Sequence, residues 1–328
     1  MKAVVIRAFG SSEVLKYERE AVQPEPAPNQ VLIKVRAAGI NPLDWKTREG
    51  ELAFFTGKSF PKVLGNDASG EIVEVGHAVS EFKPGDQVFC MVDSAPKPSW
   101  KGFAQSGAYA EYTVTRADTL ARKPSNLSHV EAASIPLAAL TAYQALRHRA
   151  NTKVGDRILI NGASGGVGTM AIQIAVAIGA EVVGVSSERN LGLIRALGAA
   201  HCLDYRTHDI TNLNQQFDVI YDVAANLSYN ACKNMLRDDG IFISNVANPG
   251  ALLATWMAPV LKVFGVHKRN SFAWVRPSGA DLARIAEMIE VGQLKPVIDR
   301  VFPMAEVAAA HDHGESGLIR GKSVIEID

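Results

Sequence analysis

Short runs of alternating apolar and polar residues fill the first third of the chain, and residues 2–8, 31–38, 68–75, 87–91 and 108–114 read as strands with one face toward a core. Between them lie turn-forming stretches, the proline-rich 23–29 and the KPGD turn at 83–86. Such spacing predicts a compact, barrel-like β domain. From residue 128 the period changes. A helix opens over 128–133 and is interrupted by Pro136, the KVGD turn follows at Lys153, and an apolar strand begins at Ile158. Further strands at 181–185, 201–204, 219–221, 241–244 and 272–275 alternate with helical patterns, so the second half reads as a doubly wound α/β sheet of about six strands. A helix over 278–291 then leads to a closing strand, 322–327, expected to return to the first domain. No repeat or low-complexity stretch interrupts this order.

The run 158–168, ILINGASGGVG, carries the chemistry of that second half. An apolar strand breaks into glycines and opens onto a helix over 167–178, the geometry in which backbone N–H groups and a helix dipole cradle phosphate. Ala163 stands where a GxGxxG motif has its first glycine, with Gly165 and Gly168 in the other two places. The strand 181–185 completes the βαβ unit that gives the motif weight. Ser164, Gly165, Gly166 and Val167 are thus candidates for holding a dinucleotide pyrophosphate. Where NAD-binding units put a carboxylate at the end of the second strand, this chain has Ser186 and Ser187, then Glu188 and Arg189. Two hydroxyls and a guanidinium suit a 2′-phosphate, and Glu188 reads as the start of the helix 191–197. The expected cofactor is NADPH.

The rest of the composition narrows the frame. The 328 residues suit two domains, 47% hydrophobic and 21% charged is ordinary for a globular chain, and a net charge of zero gives no basis for nucleic-acid binding. Cys90, Cys202 and Cys232 form no CxxC pair and predict free thiols in a reducing compartment, hence a cytoplasmic location. The start, MKAVVIRAFG, alternates like a strand and not like a secretory signal. The apolar stretch 251–266 is broken by Pro259 and Lys262, falls short of membrane length, and reads as a helix beside the cofactor site.

Several segments together resemble the medium-chain dehydrogenase/reductase superfamily, in its zinc-free quinone oxidoreductase branch. They are MKAVVIRAFGSSEVLKY, AAGINPLDWKTREG, FKPGDQVF, SGAYAEYTV, LTAYQAL, the glycine turn, LGAAHCLDYR and IRGKSVIEI, in the family's order and spanning nearly the whole chain. The resemblance implies a GroES-like β-barrel domain over 1–125, completed by 295–328, and a Rossmann NADP-binding domain over 126–294. At the positions where zinc-dependent members carry cysteine, histidine and cysteine, this chain has Asn41, Asn66 and Leu137. Two amides and an aliphatic side chain cannot replace thiolate and imidazole around zinc, and His77 belongs to a surface turn.

Without a Lewis acid, the easier chemistry is reduction of a conjugated substrate that spreads incoming hydride charge onto its own oxygen. The resemblance implies site roles for Asn41 and Lys46 as donors to the developing enolate, and for Thr141 as a partner of the nicotinamide carboxamide. It places Tyr205 by the adenosine phosphate; Lys322, in the closing RGK, reads either as approaching the same phosphate or as surface charge. Asp44 reads as a helix cap, and Trp45 stands open between core residue and substrate wall. Loops at 51–60, 93–107 and 245–274 supply Phe54, Phe55, Trp100, Phe103 and Trp256 for a hydrophobic small molecule. The branch's chloroplast-envelope and alkenal/one reductases suggest reduction of the double bond of α,β-unsaturated carbonyls, with quinones as the alternative substrate and a homodimer as the assembly. A protein that binds NADPH as a redox sensor or crystallin-like component, with little turnover, is the alternative of another class.

Overall fold

The protein is described by a computed structural model covering residues 1–93, 105–246 and 267–328. Two compact units emerge, Met1–Leu140 with Pro277–Asp328, and Thr141–Arg276. Strands are numbered in chain order.

The first unit contains β1 (Ala3–Ile6), β2 (Lys16–Glu18), β3 (Gln30–Gly39), β4 (Lys62–Val63), β5 (Asp67–Val75), β6 (Gln87–Met91), β7 (Tyr112–Arg116) and β8 (Leu120–Arg122). β1 is the centre of a small sheet between β2 and β4. β3 organises the larger, seven-stranded sheet: one edge pairs antiparallel with β5, the other with β7 over Gln30–Lys34. Nearly all of β3 is buried, and Val31, Ile33, Val35 and Ala38 join β1, Val63 and Ile72 in one apolar core.

The second unit holds β9 (Arg157–Asn161), β10 (Glu181–Ser186), β11 (His201–Asp204), β12 (Phe217–Asp222), β13 (Leu236–Ser244) and β14 (Arg269–Phe272), a six-stranded parallel sheet in the order β11-β10-β9-β12-β13-β14. This is the doubly wound order of dinucleotide-binding folds, reversing between β9 and β12. Near-continuous apolar runs suit parallel strands covered on both faces: Ile158, Leu159 and Ile160 of β9 are fully buried, each contributing about 1.5–3 kcal/mol. β13 begins five residues earlier than the apolar pattern suggests, because Leu236 pairs with Phe217 before the exposed Arg237–Asp239 segment. The last strand is Arg269–Phe272 rather than 272–275.

The chain end returns to the first unit. β15 (Ile298–Pro303) and β16 (Lys322–Glu326) are parallel to each other, and β16 pairs antiparallel with the end of β3, Val324 opposite Gly39. The unit boundaries differ from the sequence expectation of 125/126 and 294/295. Helix Gly279–Glu290 belongs to the first unit because it lies directly on β8: a Cβ on Gly279 would sit 2.2 Å from the Leu120 carbonyl oxygen. Its far end is tied by Asn126 Nδ2 donating to Ile289 O at 3.1 Å.

Candidate active site

In the second unit the functional feature is the turn after β9. Gly162 has a φ of +81°, and a Cβ on Gly168 would lie 2.2 Å from the Gly162 carbonyl oxygen, so neither place tolerates a side chain. At Gly165 a Cβ would meet only that oxygen, at 3.7 Å; the absent side chain there leaves room for a ligand instead of for the protein. Helix Gly166–Ile178 begins at this point with Gly165 as its N-cap. The leading amides of Gly166 and Val167 and the helix dipole therefore head the turn, as an anion requires.

A cluster of hydroxyls adjoins it at the carboxyl end of β10. Ser164 Oγ accepts from Ser186 Oγ at 2.7 Å and from Asn190 Nδ2 at 3.0 Å. With both acceptor positions used, the Ser164 hydrogen is left to donate. Asn190 Nδ2 also reaches Ser187 Oγ at 3.2 Å, and the Tyr205 backbone N–H donates to Ser186 O at 3.3 Å. The structure thus brings Ser164, Ser186 and Ser187 together, with the backbone of Tyr205 beside Ser186. Arg189 and Glu188 lie exposed in the short turn Glu188–Asn190 that precedes helix Leu191–Ala196. Across the sheet's reversal point, Asn161 Nδ2 donates to Asp222 Oδ1 (2.8 Å) and Asn226 Oδ1 (2.7 Å), which fastens the loop after β12 beside the glycine turn.

In the first unit a buried polar cluster surrounds Asn41, Asn66 and the Leu137 backbone. Asn41 caps helix Pro42–Glu49. Asp44, fully buried, accepts from Asn41 N–H (2.8 Å), Asn66 Nδ2 (2.5 Å) and Tyr109 OH (3.0 Å). Burial pushes its carboxyl up to about 6, against the pull of these donors and of Lys322. Asp67 accepts from Asn41 Nδ2 (3.0 Å), the Leu137 N–H (2.8 Å) and Lys322 Nζ (3.2 Å); burial raises its carboxyl and the Lys322 ammonium opposes that. Asp44 is thus a cap, as expected, and also the meeting point of the cluster.

One expectation requires correction here. Lys322 does not stand free to reach an adenosine phosphate: only 4% exposed, its ammonium donates to Ile40 O at 2.7 Å, to Asn41 Oδ1 and to Asp67. It is buried because its stem lies in β16 against β3, and the carboxylate of Asp67 compensates the charge. The Asn41 amide is not free either. Its oxygen accepts from Lys322 and one of its amide hydrogens goes to Asp67, leaving a single N–H.

Lys46 is half-buried on the same helix, and Trp45 resolves as core, its ring edge-to-face with His311 and 3.0 Å from where a Gly314 Cβ would be. Thr141 is buried in helix Pro136–Tyr143, one turn beyond Leu137. His77 is exposed in its turn. Phe54 and Phe55 lie exposed on the short helix Ala53–Thr56, whereas Trp100, Phe103, Trp256 and the expected helix 251–266 lie outside the described residues. Sequence reading missed Asp67, Tyr109, His311 and Asn190. Asp67 follows Asn66 directly and was within reach of the motif; the others converge only through tertiary pairing.

Comparison with known proteins agrees with this architecture. Residues 27–125 match the alcohol dehydrogenase GroES-like domain and residues 197–325 match the zinc-binding dehydrogenase domain. The chain is 36% identical to the mitochondrial NAD(P)H oxidoreductase RTN4IP1 of Bos taurus, over all of this chain and 89% of that protein. It is 35% identical to the chloroplastic NADPH-dependent alkenal/one oxidoreductase of Arabidopsis thaliana, over 99% of this chain and 79% of that one. Among solved structures, the quinone oxidoreductase from Coxiella burnetii superposes with a TM-score of 0.86 at 33% identity, covering 100% of this chain and 99% of its own. The glycine turn at the reversal point of a doubly wound sheet, the GroES-like unit closed by the chain end and these full-length relatives together show that the chain belongs to the medium-chain dehydrogenase/reductase superfamily, with the quinone oxidoreductase homologues.

Proposed function

We propose that the protein is an NADPH-dependent, zinc-free reductase of the conjugated double bond in α,β-unsaturated carbonyls. The observation that carries this reading is the built phosphate cradle of the second unit; the donor set of the first unit's polar cluster supports its zinc-free form. At the position of a metal ligand, Asn41 Oδ1 already receives the Lys322 ammonium, and Asn66 presents a donor nitrogen to Asp44, an arrangement that suits no cation. The name of the matching dehydrogenase family includes zinc; the donor set here argues for the branch without it.

The turn fits a nicotinamide dinucleotide: the bare face of Gly165 and the head of helix Gly166–Ile178 would hold the pyrophosphate. Ser164, Ser186, Ser187, Arg189 and Tyr205 would hold a 2′-phosphate, and Thr141 would bond the carboxamide. When bound, this cofactor supplies a hydride. The chain's part is to orient the substrate and to donate to the oxygen on which charge develops, a role for the Lys46 ammonium and the remaining Asn41 N–H. The apolar Phe54 and Phe55 suit a hydrophobic substrate.

Reduction of quinones is the second reading, supported by the solved relative named for that activity. NADPH oxidation screened across enones, enals and quinones, with product analysis, separates the two: saturated ketone supports double-bond reduction, hydroquinone alone supports the second. Tight NADPH binding with no oxidation of any substrate would favour the sensor or crystallin-like reading. A cytoplasmic location and a homodimer remain part of this proposal, to be tested by fractionation and sedimentation. Among the described residues no helix is long and apolar enough to cross a membrane, and the relatives' names place them in mitochondria and chloroplasts.

A further inference from the structure

The hydrogen bonds beneath Asn41 and Asn66 run in one direction, and that direction is set from the far end. Arg48, whose side chain is 1% exposed, donates to Gly10 O (3.0 Å), Glu49 (2.6 Å), Glu315 (2.6 Å) and His311 Nδ1 (3.2 Å). A guanidinium cannot accept, so Nδ1 must present a lone pair. Burial, with Arg48 beside it, keeps the imidazole neutral, its pKa lowered to about 3. The single ring proton therefore sits on Nε2, which faces the Tyr109 hydroxyl at 3.2 Å. The Tyr109 oxygen accepts, and its own hydrogen goes to Asp44 Oδ2. A reversed chain would need His311 to accept at both nitrogens, which a neutral ring cannot do.

We propose that Tyr109 and His311 are positioning residues of the reductive site, holding the Asp44 carboxylate as an acceptor and through it the amide of Asn66 and the backbone of Asn41. While Asp44 is ionised it only accepts, so the Asn66 amide cannot turn over: its nitrogen must face Oδ1. The other charged groups around Asp44 are Asp67 of β5, which opposes its charge, and Lys322 of β16, which favours it. Glu49 and Glu315 sit at the Arg48 end. The chain is not a proton wire, since its outer end is a guanidinium that does not give up a proton. The inference rests on the reductive reading for its function and on the geometry alone for its polarity.

Two measurements test it separately. Ring ¹⁵N spectra of the wild-type protein, with His311 assigned by His311→Gln, should show a neutral Nε2–H tautomer throughout pH 5–8. A protonated ring or an Nδ1–H tautomer overturns the assigned polarity. Enone-dependent NADPH oxidation against pH then compares wild type with Tyr109→Phe, which removes only the hydroxyl. The acidic limb of kcat should move up by about one pH unit as Asp44 loses a donor, with KM for NADPH within about twofold. A lower melting temperature with an unmoved acidic limb overturns the positioning role. Should the wild type reduce no enone or quinone, the proposed function fails while the ring spectra still decide the network.

Discussion

The Lys322–Asp67 pair shows how one buried charge decides several neighbours. Lys322 gives its protons to Asp67, to Asn41 and to the Ile40 carbonyl, so Lys322→Met leaves a carboxylate unpaired in the core. Loss of one partner from such a pair costs about 3–5 kcal/mol, and urea denaturation should show a loss of that order, with no selective loss of NADPH affinity. A fall in NADPH affinity at unchanged stability would restore the phosphate role expected from the sequence. Buried His311 and half-buried His129 add a pH dependence. Burial lowers His311 to about 3 and His129 to about 4, from 6.5. The unfolded chain takes up these protons at a pH where the folded one does not, so their contribution to stability is lost as pH falls from about 6.5 toward 4. Asp44 opposes them, since its raised carboxyl, about 6, is protonated first in the folded state. Asp67 and Asp222, also raised by burial, act in the same sense as Asp44, so the His311 contribution is read by difference: from pH 7 to pH 5 the urea midpoint of wild type should change in the destabilising direction relative to that of His311→Gln. An equal change in both proteins would remove His311 from the cause.

At the scale of elements, the glycine turn separates two duties that its motif alone runs together. Gly168 serves packing, because a Cβ there meets the Gly162 carbonyl at 2.2 Å, whereas Gly165 serves approach, its nearest contact being 3.7 Å away. Gly168→Ala should therefore destabilise the fold by about 1–3 kcal/mol through overpacking, seen as a lower melting temperature. Gly165→Ala should melt like wild type and bind NADPH at least tenfold more weakly, as fluorescence titration would show. The β9–turn–helix unit was legible because strand, glycines and helix are contiguous, and the period switches from two to three or four within a few residues. β13 and β14 were read less well, since the polar Arg237–Asp239 stretch looks like a turn when its pairing with β12 is unseen, and β14 is a short edge strand. Lys322 was misread for a similar reason: a lysine after an arginine and a glycine looks solvated until β16 is paired with β3 and Asp67 is beneath it.

For the whole molecule, the chain end is structural. β16 supplies an edge to β3, and helix Val307–Glu315 brings His311 and Glu315 to Arg48. Deleting residues 322–328 should abolish cooperative unfolding of the Met1–Leu140 unit, seen as its early cleavage in limited proteolysis, because β3 then has an exposed apolar edge. Resistance equal to the full chain would contradict the topology. The return of that end was readable in outline, since an apolar strand remained after the last helix of the alternating pattern, but helix Gly279–Glu290 was assigned to the wrong unit because its amphipathic period does not say which sheet it covers. The central claim, reduction of a conjugated carbon–carbon double bond with NADPH, is tested most directly by incubating the protein with a hydrophobic enone and either NADPH or NADH and identifying the product. The account predicts a saturated ketone, formed faster with NADPH; faster turnover with NADH, or quinone reduction with the enone left intact, would contradict it.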